Sequence, residues 1–277
     1  MKKVLIPTDF SQNSWNAISY GLSFLKEKEC TFYLLHVETH NPYVFEDNVY
    51  NAAPTLAKSS SKVKENMKVL LDKIKKQYPN LKHQFETVFE SLFFVDSIRK
   101  QISEKEIDLI VMGTKGASGI KEMTIGTNTG DVITKVKCPV LVVPENARYT
   151  PVKRIALPTD YNIYYKSKIV ETVKEFISFN KATLKILHVA KKEKELTECQ
   201  QKNKSYLHES LDDTAHGFYF LSNENIEQAV QSFVDSYDID LITMVAKNLN
   251  FFQRILFRPL VEKISYHTEI PFLILHE

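Results

Sequence analysis

The sequence predicts an α/β protein made of two tandem, doubly wound, mostly parallel five-stranded sheets. Three observations carry that expectation. Short aliphatic runs alternate with stretches of helical periodicity, four landmarks of the first half return in order in the second, and glycine gathers after one strand of the first half only. The landmarks are KKVLIPTD at 2–9 and KRIALPTD at 153–160, YLLHV at 33–37 and KILHV at 185–189, DLIVM at 108–112 and DLITM at 240–244, and CPVLVVPE at 138–145 and IPFLILHE at 270–277. They divide the chain into units at 1–147 and 151–277. Val37 and Asp108 are 71 positions apart and Val189 and Asp240 only 51, so the second unit is 20 residues shorter there, a loss expected mainly in the counterpart of His40 to Ala57.

Within the first unit, Val4 to Pro7 is a short apolar run of the kind buried on both faces of a sheet. Trp15, Ile18, Leu22 and Leu25 then recur at helical spacing behind two candidate caps, Asp9 and Ser11. A second strand is expected at Thr31 to Val37, a second helix through Val63, Met67, Leu70, Leu71 and Ile74, and a third strand at Lys82 to Phe89. Val95, Ile98 and Ile102 mark a third helix, Asp108 to Met112 and Val140 to Val143 two more strands, and Thr127 to Val136 the helix between them. Right-handed crossovers place such helices on both faces of a parallel sheet, and ligands then bind beyond the carboxyl ends of the strands.

Composition narrows the partners. Thirty-six Lys and Arg against thirty-four Asp and Glu leave a net charge of +2, which points to neither a nucleic acid nor a membrane surface. The apolar run at the start stops at Pro7, no stretch of about eighteen apolar residues occurs, and neither export nor membrane insertion is expected. Cys30, Cys138 and Cys199 show no metal or dithiol spacing, which suits a reducing cytoplasm. No protein-ligated metal site is expected, and His36 and His188, at matching strand ends, read as repeated packing residues.

Five of the seven glycines, Gly113, Gly116, Gly119, Gly126 and Gly130, fall between a strand and the helix that follows it. Glycine admits positive φ and close approach of a ligand to the backbone, and a helix start presents unpaired N–H groups at the positive end of its dipole. The two together make an anion cradle. Backbone bonds to a charged group contribute roughly 1.5 to 3 kcal/mol each, so a few of them hold a polyphosphate without a lysine. Neither GxxxxGK[ST] nor GxGxxG is present, which sets aside the P-loop and dinucleotide classes.

The spacing present is Gly113, two residues, Gly116, nine residues, Gly126 and Thr127. In this the chain resembles the universal stress protein family, whose ATP-binding members carry G-x2-G-x9-G-[ST] after the fourth strand. The resemblance extends to the strand-end PTD, the HV after the second strand and the closing PVLVVP. It implies that Asp9 takes the ribose or adenine edge, with Pro7 and Thr8 shaping the wall, and that Val37 meets adenine through its backbone while Met112 packs on the base. It further implies that Gly113, Gly116, Gly126, Thr127 and Asn128 surround the phosphates, with any magnesium carried mainly by those phosphates. Taken alone, Asp9 reads more readily as a helix cap, and its strand-end position together with the glycines favours the binding role.

In the second unit the motif positions become Val245, Asn248, Arg258 and Pro259, which removes every glycine of the cradle, although Pro158, Thr159, Asp160, His188 and Val189 remain. Lys247, Arg254 and Arg258 near the lost cradle suit a solvated helix face or a side-chain anion site. The expected function is a cytoplasmic stress-response sensor or switch that binds ATP in the first unit, with no catalytic residue assigned. A slow ATP hydrolase or phosphotransfer enzyme in the same pocket and a nucleotide-free interaction module are the alternatives. The resemblance also implies edge-to-edge pairing of Val140–Val143 with Phe272–Leu275, an intrachain pseudo-dimer that can pair again into a homodimer.

Overall fold

The computed structural model describes residues 1–38, 49–91, 93–114, 127–190, 196–247 and 269–276. Strands and helices alternate through the first half as β1 (Lys2–Pro7), α1 (Gln12–Phe24), β2 (Cys30–Val37), α2 (Val49–Gln77), β3 (His83–Glu90), α3 (Phe94–Lys105), β4 (Leu109–Gly113), α4 (Thr127–Lys135) and β5 (Val140–Val143). The second half continues with β6 (Arg154–Thr159), α5 (Ser167–Asn180), β7 (Thr183–Ala190), α6 (Glu198–Ser210), β8 (His216–Ser222), α7 (Ile226–Tyr237), β9 (Leu241–Val245) and β10 (Phe272–Leu275). The α/β class and the five mostly parallel strands per half are as expected. The two sets of five form one continuous sheet, in the order β3-β2-β1-β4-β5-β10-β9-β6-β7-β8.

Each half orders its strands alike, the first two crossovers moving one way from the central strand and the next two the other. Pairing is parallel throughout except at the join, where Phe272, Leu273 and Ile274 face Val142, Leu141 and Val140 antiparallel. The DLI landmark has a structural cause common to both halves. Asp108 accepts the Lys3 N–H at 2.8 Å, and Asp240 accepts the N–H groups of Lys153 and Arg154 at 2.9 Å, so each carboxylate clasps the start of its central strand. Helix α6 has 13 residues against 29 in α2, which places most of the shortening of the second half in this crossover.

Alternation along the strands separates two cores. Val4, Ile6, Phe32, Val111, Leu157 and Leu273 face α1, α2, α5 and α6, while Leu5, Leu35, Ile110, Ala156, Ile242 and Ile274 face α3, α4 and α7. Both cores run across the join, so neither half closes its own. On the first face Phe24 of α1 stacks on Phe176 of α5 at 5.9 Å and meets Phe179 edge-on at 5.5 Å. The adjoining Lys2–Glu175 ion pair, at 2.8 Å, is partly exposed and contributes little beside that apolar contact.

On the second face His276, directly after β10, donates from Nε2 to the Ile133 carbonyl of α4 at 2.7 Å. Burial, opposed by backbone carbonyls, holds its imidazole below the ordinary value of 6.5. The unfolded chain therefore takes up this proton at a higher pH than the native one does, and native stability falls as the pH drops below about 6.5. Urea denaturation of a His276→Gln variant between pH 7.5 and 5 is expected to show a shallower loss on the acid side than the unsubstituted chain. An unchanged slope would show that the join does not titrate through this residue.

Candidate functional site

The strand order reverses between β1 and β4, which are direct neighbours with Val4 beside Leu109 and Leu5 beside Ile110. The chain leaving β1 crosses to the α1 face and the chain leaving β4 to the α4 face, so a crevice opens at their carboxyl ends. Pro7, Thr8, Asp9, Met112 and Gly113 stand at those ends, with Val37 closing the neighbouring β2.

The turn after β1 is built by side chains. The buried Thr8 sends its N–H to the Leu35 carbonyl at 2.8 Å, and its Oγ1 accepts the Phe10 N–H at 3.1 Å. The Ser14 hydroxyl donates to the Ser11 carbonyl, so the Thr8 hydroxyl donates to Ser14 Oγ at 3.1 Å. Asp9 accepts the Ser11 N–H at 3.0 Å, whereas the cap of α1 is Ser11, whose Oγ accepts the Ser14 N–H at 3.2 Å. Asp9 is thus a turn former with an exposed carboxylate. Phe10 has φ of 63°, a left-handed conformation costly for an aromatic residue, and it persists because its ring stacks on His36 at 4.8 Å. His36 is fixed in turn by its Nδ1–H, which donates to the Thr8 carbonyl at 2.8 Å.

Across the crevice Gly113 ends β4 beside Val143, and Met112 is buried against the α4 face. Thr129, in the first turn of α4, is buried and donates from Oγ1 to the Gly113 carbonyl at 2.7 Å. That bond ties the amino end of α4 to the carboxyl end of β4, with Thr127 and Asn128 exposed at the helix start. A helix's first turn has N–H groups without intrahelical partners and the positive end of the dipole, and α4 itself carries no acidic side chain in that turn. Gly116 and Gly126 lie outside the described residues, as do Asn248, Arg254, Arg258 and Pro259 of the second half.

The second half repeats the first turn but not the second wall. Tyr161 has φ of 56° and donates its N–H to Thr159 Oγ1 at 3.0 Å, Asn162 donates to Asp160 Oδ1 at 3.0 Å, and His188 stacks on Tyr161 at 5.0 Å while Nδ1 reaches the Thr159 carbonyl at 3.0 Å. Opposite, the buried Val245 pairs with Leu275 as Gly113 pairs with Val143. A β-branched side chain therefore stands at the strand position where the first half has none.

Two contributors were not expected from the sequence, Thr129 and the left-handed aromatic after each PTD, whereas His36 and His188, expected as repeated packing residues, do pack on that aromatic in both halves. The aromatic after PTD and the HV pair recur in both halves, and that recurrence is the signal that could have found the turn, whereas Thr129 has no such signal. Burial raises the thiols of Cys30 and Cys138 to about 11 and about 12, which removes them from nucleophilic chemistry near neutral pH. Among the described residues no group of three His, Cys, Asp or Glu could hold a metal, and no helix is long and apolar enough to cross a membrane.

A family model described as the universal stress protein family matches residues 1–144. Two universal stress proteins of Methanocaldococcus jannaschii are 31% identical over 142 residues and 30% identical over 152. Each match spans 51% of this chain, and 81% and 94% of the respective relative. A solved universal stress protein from Archaeoglobus fulgidus superposes with a TM-score of 0.69 over 99% of this chain and 96% of that one at 18% identity, a likeness of fold.

Thr129→Val keeps the side-chain shape and removes the donor to Gly113. Urea denaturation is expected to show a loss of about 1 to 3 kcal/mol, with Thr129→Ser close to the unsubstituted chain. Equal stability of Val and Thr at this position would mean that the tie between α4 and β4 carries no weight.

Proposed function

The chain belongs to the universal stress protein family, and from that premise we propose that residues 1–147 form an adenine-nucleotide-binding domain and residues 151–277 a degenerate partner without the phosphate cradle. The observation that carries this reading is the Thr129–Gly113 bond, which aims the first turn of α4 into the crevice where the strand order reverses. A triphosphate seated there accepts hydrogen bonds from backbone N–H groups rather than from lysines, and Thr127 and Asn128 border it.

The base and ribose lie toward the β1 turn. There the exposed Asp9 carboxylate takes the ribose or adenine edge, and Pro7, Thr8, the Val37 backbone and Met112 shape the wall. Gly116 and Gly126 complete the cradle by their place in the sequence motif. Magnesium enters with the phosphates, since the described residues around the crevice offer no carboxylate cluster to retain it.

In the second half the surviving turn around Thr159 and the buried Val245 describe a pocket that kept its nucleoside side and lost its phosphate side. The antiparallel β5–β10 pair supports reading the chain as an intrachain pseudo-dimer, in which the degenerate half covers an edge that would otherwise seek another strand. The biological role is that of a sensor or switch in a stress response, working in the cytoplasm, where the unpaired cysteines stay reduced.

Calorimetric titration with ATP is expected to give one site per chain. Gly113→Val, which copies the second half, and Gly116→Val are each expected to weaken binding at least tenfold, about 1.4 kcal/mol, and Val245→Gly is expected to add no second site. Two sites per chain, or glycine variants that bind as well as the unsubstituted protein, would overturn the assignment. Timed ADP release in the same samples measures hydrolysis directly.

A further inference from the structure

The second half contains a cavity that the nucleotide reading leaves unused. It lies on the face carrying α5 and α6, over the middle of β8 and the carboxyl end of β7, and has a volume of about 210 Å³. Its wall is aromatic. The His188 ring lies 5.0 Å from Tyr161 on one side and 5.9 Å from Phe220 on the other, and Phe218 continues the wall along β8.

Two polar groups face this wall. His188 is bonded through Nδ1–H to the Thr159 carbonyl, which fixes the tautomer and leaves Nε2 as an acceptor with no hydrogen-bond partner among the described residues. Lys204 of α6 is half-buried, makes no ion pair among the described residues, and holds its ammonium 5.5 Å from the centre of the Phe218 ring. A cation resting on a ring face is held weakly compared with one that meets a carboxylate away from bulk water.

We propose that this cavity binds a small aromatic carboxylate, with the ring against the Phe218–Phe220 wall, the carboxylate on Lys204 Nζ and, where the ring carries a hydroxyl or amine, that donor on His188 Nε2. The volume supports the class. Pockets for drug-sized ligands span roughly 300 to 1,000 Å³, so this cavity suits one ring or two fused rings and is too small for a nucleoside triphosphate. Flat rings complement aromatic walls through offset or edge contacts that a saturated ring does not make. The first half keeps a related ring pair, Phe10 on His36, but the cavity beside its α1 and α2 is larger, about 390 Å³, and has the aliphatic Val69 and Leu70 and the indole of Trp15 where the second half presents a row of phenylalanines.

The test is an NMR titration of salicylate into the full chain saturated with ATP, following the methyl groups of Leu196 on the cavity wall. One saturable site is expected, with Leu196 shifting as it fills. Cyclohexanecarboxylate, of the same charge but without an aromatic ring, is expected to bind at least tenfold more weakly, and Lys204→Met to weaken salicylate at least tenfold with thermal stability unchanged. Lys204→Arg is expected to retain binding, which separates loss of charge from loss of structure. The proposal fails if salicylate does not saturate by about 10 mM, if Lys204→Met binds it equally well, or if ATP and salicylate compete.

Discussion

The site depends on one constraint of connectivity: beside β1 the order of the strands turns round, so the crossovers that leave the neighbouring β1 and β4 depart to opposite faces of the sheet. A gap at the strand ends is the geometric result, and whatever fills it must be met by the turn after β1 and the start of α4. Each wall is fixed by short hydrogen bonds among its own residues. On one side a threonine, a serine and a histidine hold an aromatic residue in a left-handed conformation; on the other a single threonine hydroxyl fastens a helix to a strand.

The join between the halves is part of the same arrangement. Helix α4 presents its first turn to the crevice and, from its other end, the Ile133 carbonyl to His276 of the second half. The helix thus touches both the proposed ligand site and the seam. Because the two cores run through the seam without a break, the second half supports the first mechanically as well as closing its edge strand.

Most strand positions were legible in the sequence because each strand is a short apolar run whose neighbours are turn formers. β5 was found at its own bounds, and β1, β2, β3 and β4 within two residues of theirs. Helix α2 was read from Val63 onward, where Met67, Leu70 and Ile74 are buried, although it starts at Val49. The stretch before Val63 carries Pro54 and a run of serines and shows no apolar stripe. The repeat of PTD and HV exposed the turn but not its mechanism, since a left-handed Phe10 or Tyr161 depends on a ring stack between residues about 26 positions apart. Thr129 was passed over because threonine early in a helix is commonplace, and only its burial against Gly113 distinguishes it. Pairing of β5 with β10 followed from family resemblance, while the continuous ten-stranded sheet required the structure.

Hydrogen exchange read by mass spectrometry, with and without saturating ATP, tests the central claim most directly. The account predicts slower exchange in peptides covering 7–10, 113–116 and 126–130, and no change in those covering 158–161 and 245–247. Protection in the second half, or none in the peptide that opens α4, would contradict it.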